Sequence, residues 1–383
     1  MRAACVLAGL GNSTILHTAI GPALGNEFAE IAKRKGIQLR STAGAVDIWF
    51  RYRHPLAKPD IYPASVPQLT TPAQIVADSA LVFGMMEGRP KVDAKRVVYD
   101  PQDGFRAQHY FANGSAAGEL VIVASWSEGR ALTGELAPEG IADAILKDPK
   151  CVAVIIKCGP QGALVATATS KKWIGAFPSK RVWKIGSGDV FSAAFAHAWL
   201  IEHLPVLDAA WLASRMVSEY VGSRSEKFTA KCLLKIREEA RAAEVRTSDT
   251  ARAIPDATIY IAGPFFNTAE QWLVDEARYA FRDMGFKVFS PIHDVGEGPP
   301  NMVAPADLFA LQNSTLVFAL LSGLDPGTIF EVGYACALNI PVVGVAESTD
   351  LRPLTMLLGS GCAISDDFAT GVYSACWHLM GDV

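Results

Sequence analysis

The sequence predicts an α/β protein of two domains. The chain has 383 residues, more than one domain usually contains, and half of them are hydrophobic. Short apolar runs alternate with helical patterns along much of its length, which is typical of βαβ units and parallel sheets. Residues 235–258 interrupt this pattern with a charged stretch and then a polar, proline-containing segment. We therefore predict domains at residues 1–245 and 257–383, joined by a linker at residues 246–256.

The composition of the chain limits its partners and its compartment. The formal net charge of −4, from 35 basic and 39 acidic residues, gives no electrostatic reason to expect nucleic acid or a membrane surface as partner. No apolar run approaches the roughly 20 residues that span a membrane. The seven cysteines include no CxxC pair, so neither a disulfide framework nor a metal site is expected. We therefore expect a cytoplasmic protein that acts on small molecules.

The N-terminal half contains one stretch that suggests chemistry. Strands are predicted at LVIVASW (120–126) and CVAVIIKCG (151–159), and the segment KIGSGDVFSAAFAHAWL follows them. Glycines before a helix leave free backbone N–H groups and the positive end of the helix dipole where a phosphate could bind. Asp189 could then accept a proton from an attacking hydroxyl group, as phosphoryl transfer requires. A helix-starting turn that serves only the fold is the structural alternative.

Residues 1–230 resemble the PfkB family of ribokinase-like sugar and nucleoside kinases. The matching stretches are LAGLGNSTILHTAIGPALGNEFAEIAKRKGI, VIIKCGPQGALV and GSGDVFSAAFAHAWL. The resemblance implies a ribokinase-like three-layer α/β fold, with ATP as phosphoryl donor and Mg²⁺ as its metal. It also implies that Asp189 is the catalytic base and that the anion hole is formed by Gly186, Ser187 and Gly188.

The same resemblance shows departures from the kinase pattern. The chain begins at a point where such kinases already have a first strand, a lid and a Gly-Gly element for the sugar, so this domain is expected to be N-terminally incomplete. Trp183 and Lys184 stand where the family usually has Asp and Thr. A domain without a sugar-binding strand and lid lacks substrate grip and water exclusion, which argues against kinase activity. A binding or assembly role, and missing elements that come from a partner chain or from a start codon further upstream, stay open.

The C-terminal half shows the alternation of strands and helices most clearly. The predicted elements are strands at 258–262, 287–290, 315–321 and 341–346, and helices at about 268–284, 305–312 and 326–338. Short apolar strands in this order predict a parallel sheet with helices on both faces. Ligands of such sheets bind beyond the carboxyl ends of the strands. Tyr260, His293, Asp294 and Asp325 are therefore predicted to gather at one rim.

One carboxylate lies inside an apolar helix pattern. In the stretch DPGTIFEVGYA, Asp325 can cap the helix, and Glu331 lies about a turn and a half inside it. Glu331 shares its face with Gly327, Thr328 and Ala335, whose small side chains leave space for a ligand. A helix-surface glutamate is the structural alternative, although the large apolar neighbours leave little exposed face.

Such a carboxylate suggests chemistry at an anomeric carbon. A carboxylate in a dry pocket can attack an electron-poor carbon and form a covalent intermediate. The N-glycosidic bond of a nucleoside has such a carbon, its transition state resembles an oxocarbenium ion, and a second carboxyl group can protonate the departing base. Asp307 and Asp325 are available for this second role. Taken singly, each of them is equally explained as a residue at a helix start.

Residues 257–350 resemble the nucleoside 2-deoxyribosyltransferase family. The matching stretches are IYIAGPFF, FSPIHDVGEG, Asp307 before TLVFALL, and DPGTIFEVGYACALNIPVVGV. The resemblance implies a flavodoxin-like or Rossmann-like parallel sheet and no cofactor. It implies that Glu331 is the nucleophile that takes up the deoxyribosyl group and that Tyr260 helps to orient it. It also implies that Asp325 and Asp307 bind or protonate the base. Substrate contacts are expected at Gly263, Pro264, Phe265, His293, Asp294, Gly327 and Thr328.

Two departures refine this resemblance. The family often has Asp where this chain has Thr315, and we expect that position to be structural at the strand entrance. Related hydrolases of nucleoside 5′-monophosphates carry Ser and Arg after the first strand, whereas the loop GPFFNTAEQ has no basic residue, which favours a free nucleoside. The partners expected are a nucleoside and a free base. The resemblance also implies a homo-oligomer in which a neighbouring chain completes the pocket.

Three functions remain open at this point. The leading hypothesis is cleavage or exchange of an N-glycosidic bond of a (deoxy)nucleoside through Glu331, and the residues do not separate transfer from hydrolysis. The second is an ATP-dependent nucleoside or sugar kinase that uses Asp189. The third is a non-catalytic nucleotide-sensing module, suggested by the incomplete kinase half.

Overall fold

The chain forms two compact units. The computed structural model describes residues 1–102, 106–242, 247–248, 256–347 and 352–381, without the side chains of residues 241, 242 and 247. The first unit contains Met1–Arg53, Lys58–Ser179 and Ile185–Ala251, and the second contains His54–Ala57, Lys180–Lys184 and Arg252–Val383. Two short segments of the N-terminal half therefore belong to the second unit.

The first unit contains eleven strands and seven helices in its described part. In chain order they are α1 (Arg2–Gly9), β1 (Ile15–Ile20), α2 (Gly25–Lys35), β2 (Gln38–Ala43), β3 (Trp49–Arg51), β4 (Asp60–Tyr62), β5 (Gln74–Phe83), β6 (Lys91–Asp100), β7 (Ala116–Ser125), α3 (Trp126–Thr133), α4 (Pro138–Ile145), β8 (Cys151–Lys157), β9 (Ala163–Thr167), β10 (Lys171–Ile174), α5 (Ser187–Ala196), α6 (Val206–Ser223), α7 (Ala230–Ala242) and β11 (Thr247–Ser248).

A seven-stranded sheet in the order β11-β10-β9-β8-β7-β6-β5 organises this unit. The strands from β5 to β8 run parallel, and the pairings from β8 to β11 are antiparallel. In β7, Leu120 and Ile122 pack in one core cluster with Leu132 of α3 and Ile141 of α4. The residues between them point to the other face, because successive side chains of a strand alternate. There α5 packs on β5 and β6, and α6 on β9 and β10, which completes three layers.

The second unit is built from five strands and six helices in its described part. In chain order they are β12 (Thr258–Ala262), α8 (Thr268–Asp283), β13 (Lys287–Phe289), α9 (Pro291–Asp294), α10 (Pro300–Gln312), β14 (Leu316–Leu320), α11 (Pro326–Ala337), β15 (Val342–Val345), α12 (Thr355–Gly359), β16 (Ala363–Ser365) and α13 (Phe368–Leu379).

The sheet of the second unit is entirely parallel, in the order β13-β12-β14-β15-β16. Its two faces carry separate core clusters. Ile259, Ile261 and Phe318 pack with α8 and α13 on one face, whereas Tyr260 and Val317 pack with α10, α11 and α12 on the other. A parallel sheet buried on both faces explains why its strands read as continuous apolar runs. The side chain of Tyr260 therefore points towards the helix that carries Glu331.

The two upstream segments complete the α8–α13 side of the second unit. The backbone N–H of Val182 donates to Thr370 Oγ1 over 2.8 Å, and Val182 packs in a small buried cluster with Tyr373 and Trp377. His54 Nε2 lies 2.8 Å from Glu276 Oε2 of α8. These contacts cover apolar surface that α13 would otherwise present to water.

The predicted fold class, two α/β domains with these two sheet types, is confirmed. Two features differ from the sequence prediction, namely the start of one helix and a strand inside the predicted linker. Helix α10 begins at Pro300 rather than near Pro305, because Pro305 is accommodated inside the helix at the cost of one backbone hydrogen bond. Strand β11 lies within the segment that we predicted as a linker, and it pairs with β10. Among the described residues, no helix combines the length and the hydropathy that a membrane crossing requires.

Two helical glycines of the second unit should respond oppositely to alanine. A Cβ on Gly371 of α13 would lie 2.3 Å from Val345 Cγ2, whereas a Cβ on Gly333 of α11 meets no atom within 4 Å. Gly371→Ala should lower the free energy of unfolding by about 1–3 kcal/mol through overpacking. Gly333→Ala should raise it by about 0.5–1 kcal/mol, because alanine favours the helix. Urea unfolding followed by circular dichroism measures both; equal shifts would contradict this packing.

Candidate active site

The centre of the candidate site is a hydrogen bond between a strand and a helix. Tyr260, the third residue of β12, is fully buried, and its hydroxyl donates to Glu331 Oε1 over 2.5 Å. The Tyr260 ring stacks on Phe289, its neighbour in β13, with ring centroids 5.5 Å apart. The sheet therefore fixes the donor on one side, and α11 holds the carboxylate on the other.

The electrostatics around Glu331 keep its carboxylate near the point of ionisation. Burial raises the pKa of Glu331 to about 7, the hydrogen bond from Tyr260 opposes this rise, and the nearby carboxylates of Asp307 and Asp325 add to it. Burial and the charge of Glu331 raise the pKa of Tyr260, so its hydroxyl stays protonated as the donor. Glu331 can thus act as a carboxylate at neutral pH while its side chain is partly withdrawn from water.

Asp307 lies on α10, the helix that precedes β14. Its Oδ1 atom is buried and has no hydrogen-bond partner among the residues that the structure describes. Burial raises the pKa of Asp307. A buried oxygen of this kind is costly unless something fills its hydrogen-bonding capacity, so Asp307 fits a role in binding or protonating a polar ligand.

Asp325 is the N-cap of α11, as the sequence predicts. Its Oδ2 atom accepts hydrogen bonds from the backbone N–H of Thr328 over 2.7 Å and from Thr328 Oγ1 over 3.0 Å. Thr328 is buried and holds this carboxylate, whereas Gly327 is exposed beside it. A Cβ on Gly327 would lie 3.0 Å from Asp325 Oδ2, so the absence of a side chain leaves room around the cap.

The loop after β12 contains three residues predicted to contact substrate. A Cβ on Gly263 would lie 3.1 Å from the Leu320 side chain, which places the loop beside the carboxyl end of β14. Pro264 is buried and Phe265 is half-buried. The side chain of Gln271 donates to the carbonyl of Phe265 over 3.1 Å and holds the loop to α8.

His293 and Asp294 lie on α9 and have other partners. His293 Nε2 lies 2.8 Å from Asp275 Oδ1 of α8, and Asp294 Oδ2 accepts from the backbone N–H of Ser290 over 2.8 Å. Both residues are exposed, and neither forms a hydrogen bond or ion pair with Glu331. The structure thus joins Tyr260, Glu331, Asp307 and Asp325 electrostatically, and it leaves these two side chains outside that group.

Thr315 stands at the entrance of β14. Its Oγ1 accepts from the backbone N–H of Thr258, and its own N–H donates to the carbonyl of Thr258 over 2.8 Å. These bonds tie the first residue of β12 to the start of the neighbouring strand. Thr315 therefore takes part in the pairing of β14 with β12.

The first unit contains the other predicted site, at the start of α5. Gly186 is the N-cap in the left-handed conformation, with φ of 83°, which glycine adopts without strain. Asp189 in the first turn already has two partners: its Oδ2 accepts from Arg2 Nη1 over 3.1 Å, and its Oδ1 accepts from Gln102 Nε2 over 2.7 Å. The guanidinium of Arg2 lies directly against Gly186, the position that the resemblance assigns to a phosphate of ATP. ATP does not fit this arrangement, and we derive no phosphoryl-transfer step from it.

A buried ion pair lies beneath this loop. Lys157 Nζ, at the end of β8, donates to Asp100 Oδ2 over 2.9 Å, and Ser192 Oγ donates to the same oxygen over 2.6 Å. Asp100 is fully buried, and its Oδ1 has no partner among the described residues. Burial raises the pKa of Asp100, while Lys157 and Ser192 lower it. Lys157 Nζ is also 3.6 Å from the position of a Cβ on Gly188.

Sequence reasoning missed several of these residues. Phe289 could have been found, because it is the third residue of its strand and Tyr260 is the third of the neighbouring strand, so parallel pairing puts them side by side. Arg2 and Gln102 lie far from Asp189 in sequence, and nothing in their local patterns indicates that they meet it. Asp100 and Lys157 end β6 and β8, and the carboxyl ends of parallel strands are where polar side chains gather.

Two family models match parts of the chain. Residues 259–369 match the family model described as nucleoside 2-deoxyribosyltransferase. Residues 89–229 match the model described as pfkB family carbohydrate kinase. The first match lies in the second unit, and the second match lies in the first unit apart from Lys180–Lys184.

Solved structures similar to the chain fall into the same two groups. A fructokinase from Vibrio cholerae, determined with fructose, ADP and calcium, is 17% identical with a TM-score of 0.48, over 61% of this chain and 89% of that one. A Burkholderia thailandensis nucleoside kinase in complex with inosine is 14% identical with a TM-score of 0.46, over 63% and 86%. A 2-deoxyribosyltransferase from Bacillus psychrosaccharolyticus is 30% identical with a TM-score of 0.27, over 29% and 87%.

Comparison with curated proteins gave no match. The family assignment therefore rests on the two family models and on the 30% identity to a deoxyribosyltransferase of which the chain covers 87%. The chain belongs to the nucleoside 2-deoxyribosyltransferase family through its second unit, and residues 89–229 of the chain resemble the pfkB carbohydrate kinase family.

Proposed function

We propose that the second unit exchanges or cleaves the N-glycosidic bond of a (deoxy)nucleoside, with Glu331 as the nucleophile. The observation that carries the proposal is the 2.5 Å hydrogen bond from Tyr260 to Glu331, which orients a carboxylate whose pKa is raised to about 7 by burial. Two further carboxyl groups, Asp307 and Asp325, are close enough to influence that pKa. One nucleophile and nearby acids are the groups that this chemistry needs.

The first half of the reaction forms a glycosyl-enzyme intermediate. A Glu331 carboxylate oxygen forms a bond to C1′ of the sugar while the C1′–N bond breaks, and its electron pair leaves with the base. Asp307 in its protonated form gives the base a proton, so that the base departs neutral. The hydroxyl of Tyr260 donates a hydrogen bond to the Glu331 carboxylate and keeps its reacting oxygen aligned.

The second half of the reaction decides between transfer and hydrolysis. An incoming base gives its proton to the Asp307 carboxylate and attacks C1′, the bond to Glu331 breaks, and a new nucleoside forms. Water in place of the base gives the free sugar by the same proton transfer. The substrate partners proposed are therefore a free nucleoside and a free base.

We also propose that the chain self-associates. Large apolar side chains of α10 and α11 are exposed, namely Met302, Phe309 and Phe330, each at 60% or more. Large apolar side chains exposed to this extent are typical of a protein–protein contact. A second copy of the chain is the occupant that this proposal assigns to it.

Loss of the nucleophile should abolish turnover. Glu331→Gln should reduce the rate of base release and base exchange by about a thousandfold or more, because the covalent route is closed. The matched control is Glu238→Gln at an exposed position of α7, which should keep the wild-type rate. Chromatography of each deoxynucleoside with and without a second free base measures both reactions. Wild-type turnover by Glu331→Gln would refute the mechanism.

The pH dependence should report the ionisation of Glu331. Since only the carboxylate attacks, kcat/KM should fall about tenfold per pH unit below an apparent pKa near 7. Tyr260→Phe removes the hydrogen bond that lowers this pKa, so the acidic limb should move upward by about one to two pH units. Profiles of both proteins from pH 5 to 9, roughly two units on either side of 7, measure the shift. An unchanged limb in Tyr260→Phe would assign the titration to another group.

The role of Asp307 can be tested by changing the leaving group. Asp307→Asn should slow release of guanine from 2′-deoxyguanosine by about 100-fold or more, because the base then leaves without a proton. Release of 7-methylguanine from the N7-methylated nucleoside, whose base is already cationic, should slow much less. Asp366→Asn, at an exposed position, serves as the control. Equal losses on both nucleosides would give Asp307 a binding role and remove it as the acid.

A further inference from the structure

Two cysteine sulfurs of the second unit lie close together on the side of the sheet that α11 covers. Cys336 Sγ, in the last turn of α11, is 3.5 Å from Cys362 Sγ, which lies between α12 and β16. The two residues are 26 positions apart, so their spacing in the sequence gives no sign of the pair. Both thiols are free, and a small movement of the side chains would bring the sulfurs to bonding distance.

The two thiols differ in their surroundings. Cys336 is partly exposed, whereas Cys362 is buried, with 7% of its surface exposed. Burial and the neighbouring Cys336 sulfur raise the pKa of Cys362 to about 12, so Cys362 keeps its proton and its S–H can donate to the Cys336 sulfur. Exposure and thiolate character decide which thiol reacts with an oxidant. Cys336 is therefore the thiol that reacts first, and Cys362 is placed to attack the oxidised sulfur.

The pair belongs to the same core as the candidate site. Glu331 and Cys336 both lie on α11, and Val332 of this helix packs in one buried cluster with Tyr260 and Cys362. The Cys336 side chain packs against that cluster. A bond between the two sulfurs would therefore tie the C-terminal end of α11 to the segment that enters β16.

We propose that Cys336 and Cys362 form a reversible disulfide on exposure to hydrogen peroxide, and that this bond fixes α11 against the sheet. The Cys336 thiolate attacks one peroxide oxygen, the O–O bond breaks, and the other oxygen leaves as water, which gives a sulfenic acid on Cys336. The Cys362 sulfur then attacks the Cys336 sulfur, the S–O bond breaks, and a second water leaves with the Cys362 proton. The two thiols lose two electrons, and the peroxide takes them up.

Mass spectrometry of the full chain tests the bond. Endoproteinase Asp-N cuts before Asp350 and Asp366 and so separates the two cysteines. After peroxide treatment and digestion without reductant, the two peptides should be linked, about 2 Da lighter than their sum, and dithiothreitol should part them. In Cys362→Ser the second thiol is absent, so dimedone should trap the sulfenic acid on Cys336. Oxygen added to wild-type Cys336 without a linked peptide would overturn the proposal, and so would two unmodified thiols.

Calorimetry of the full chain tests whether the bond fixes α11. A disulfide restricts the unfolded chain, so the Tm of the second unit should rise by about 5 °C or more on oxidation and return on reduction. Cys336→Ser, at the partly exposed position, should unfold like the reduced wild type with and without peroxide. A linked peptide without a rise in Tm would contradict this part of the proposal.

Another partly exposed thiol provides the matched control. Cys232 lies on α7 of the first unit, so Cys232→Ser should keep both the linked peptide and the rise in Tm. A rise in Tm that survives in Cys336→Ser would assign the effect to another group and overturn the proposal. Neither measurement uses the reaction proposed for Glu331. Absence of base exchange in every protein would therefore bear on the proposed function alone.

Discussion

The parallel sheet of the second unit obeys one constraint: a parallel strand covered on both faces has no room for charged side chains except where it ends. In the first unit, β6, β7 and β8 end in Asp100, Ser125 and Lys157. In the second unit, the loops and helix starts that follow the strands hold Gly263 and Asp325. The hydroxyl of Tyr260 is the exception, since it lies inside a strand, and its bond to Glu331 satisfies it there.

The Tyr260–Glu331 pair shows how chemistry and stability compete at such an edge. Because the pKa of Glu331 is raised on folding, the folded chain binds a proton more tightly than the unfolded chain does between about pH 4.5 and 7. The contribution of Glu331 to folding stability is therefore full below its unfolded pKa and is lost as the pH rises through about 7. The second unit therefore loses this stability at the pH where the Glu331 carboxylate becomes reactive. The extensive apolar cores on both faces of the sheet offset the loss.

The sequence was sufficient for the parallel class of the second sheet, for strands β12 to β15 and for helices α8 and α11, because apolar runs and helix caps such as Asp325 are local signals. It singled out Glu331 as a candidate because a lone carboxylate in an apolar helix is conspicuous. It was not sufficient for the start of α10, where Pro305 is tolerated inside the helix, or for β11, which is too short to have a pattern. The partners of Asp189 were beyond it as well, since Arg2 and Gln102 reach that carboxylate only through the tertiary fold.

The segments His54–Ala57 and Lys180–Lys184 carry a practical consequence for dissecting the molecule. A polypeptide that starts at residue 252 would contain every strand of the second sheet and the carboxylates of Asp307, Asp325 and Glu331. It would lack Val182 and His54, so the surface around Tyr373 and Trp377 would be open to water. Family boundaries drawn on the sequence alone would thus yield a fragment prone to association. Reciprocal silencing of each centre by point substitution in the intact chain is the sounder way to assign activities to the two halves.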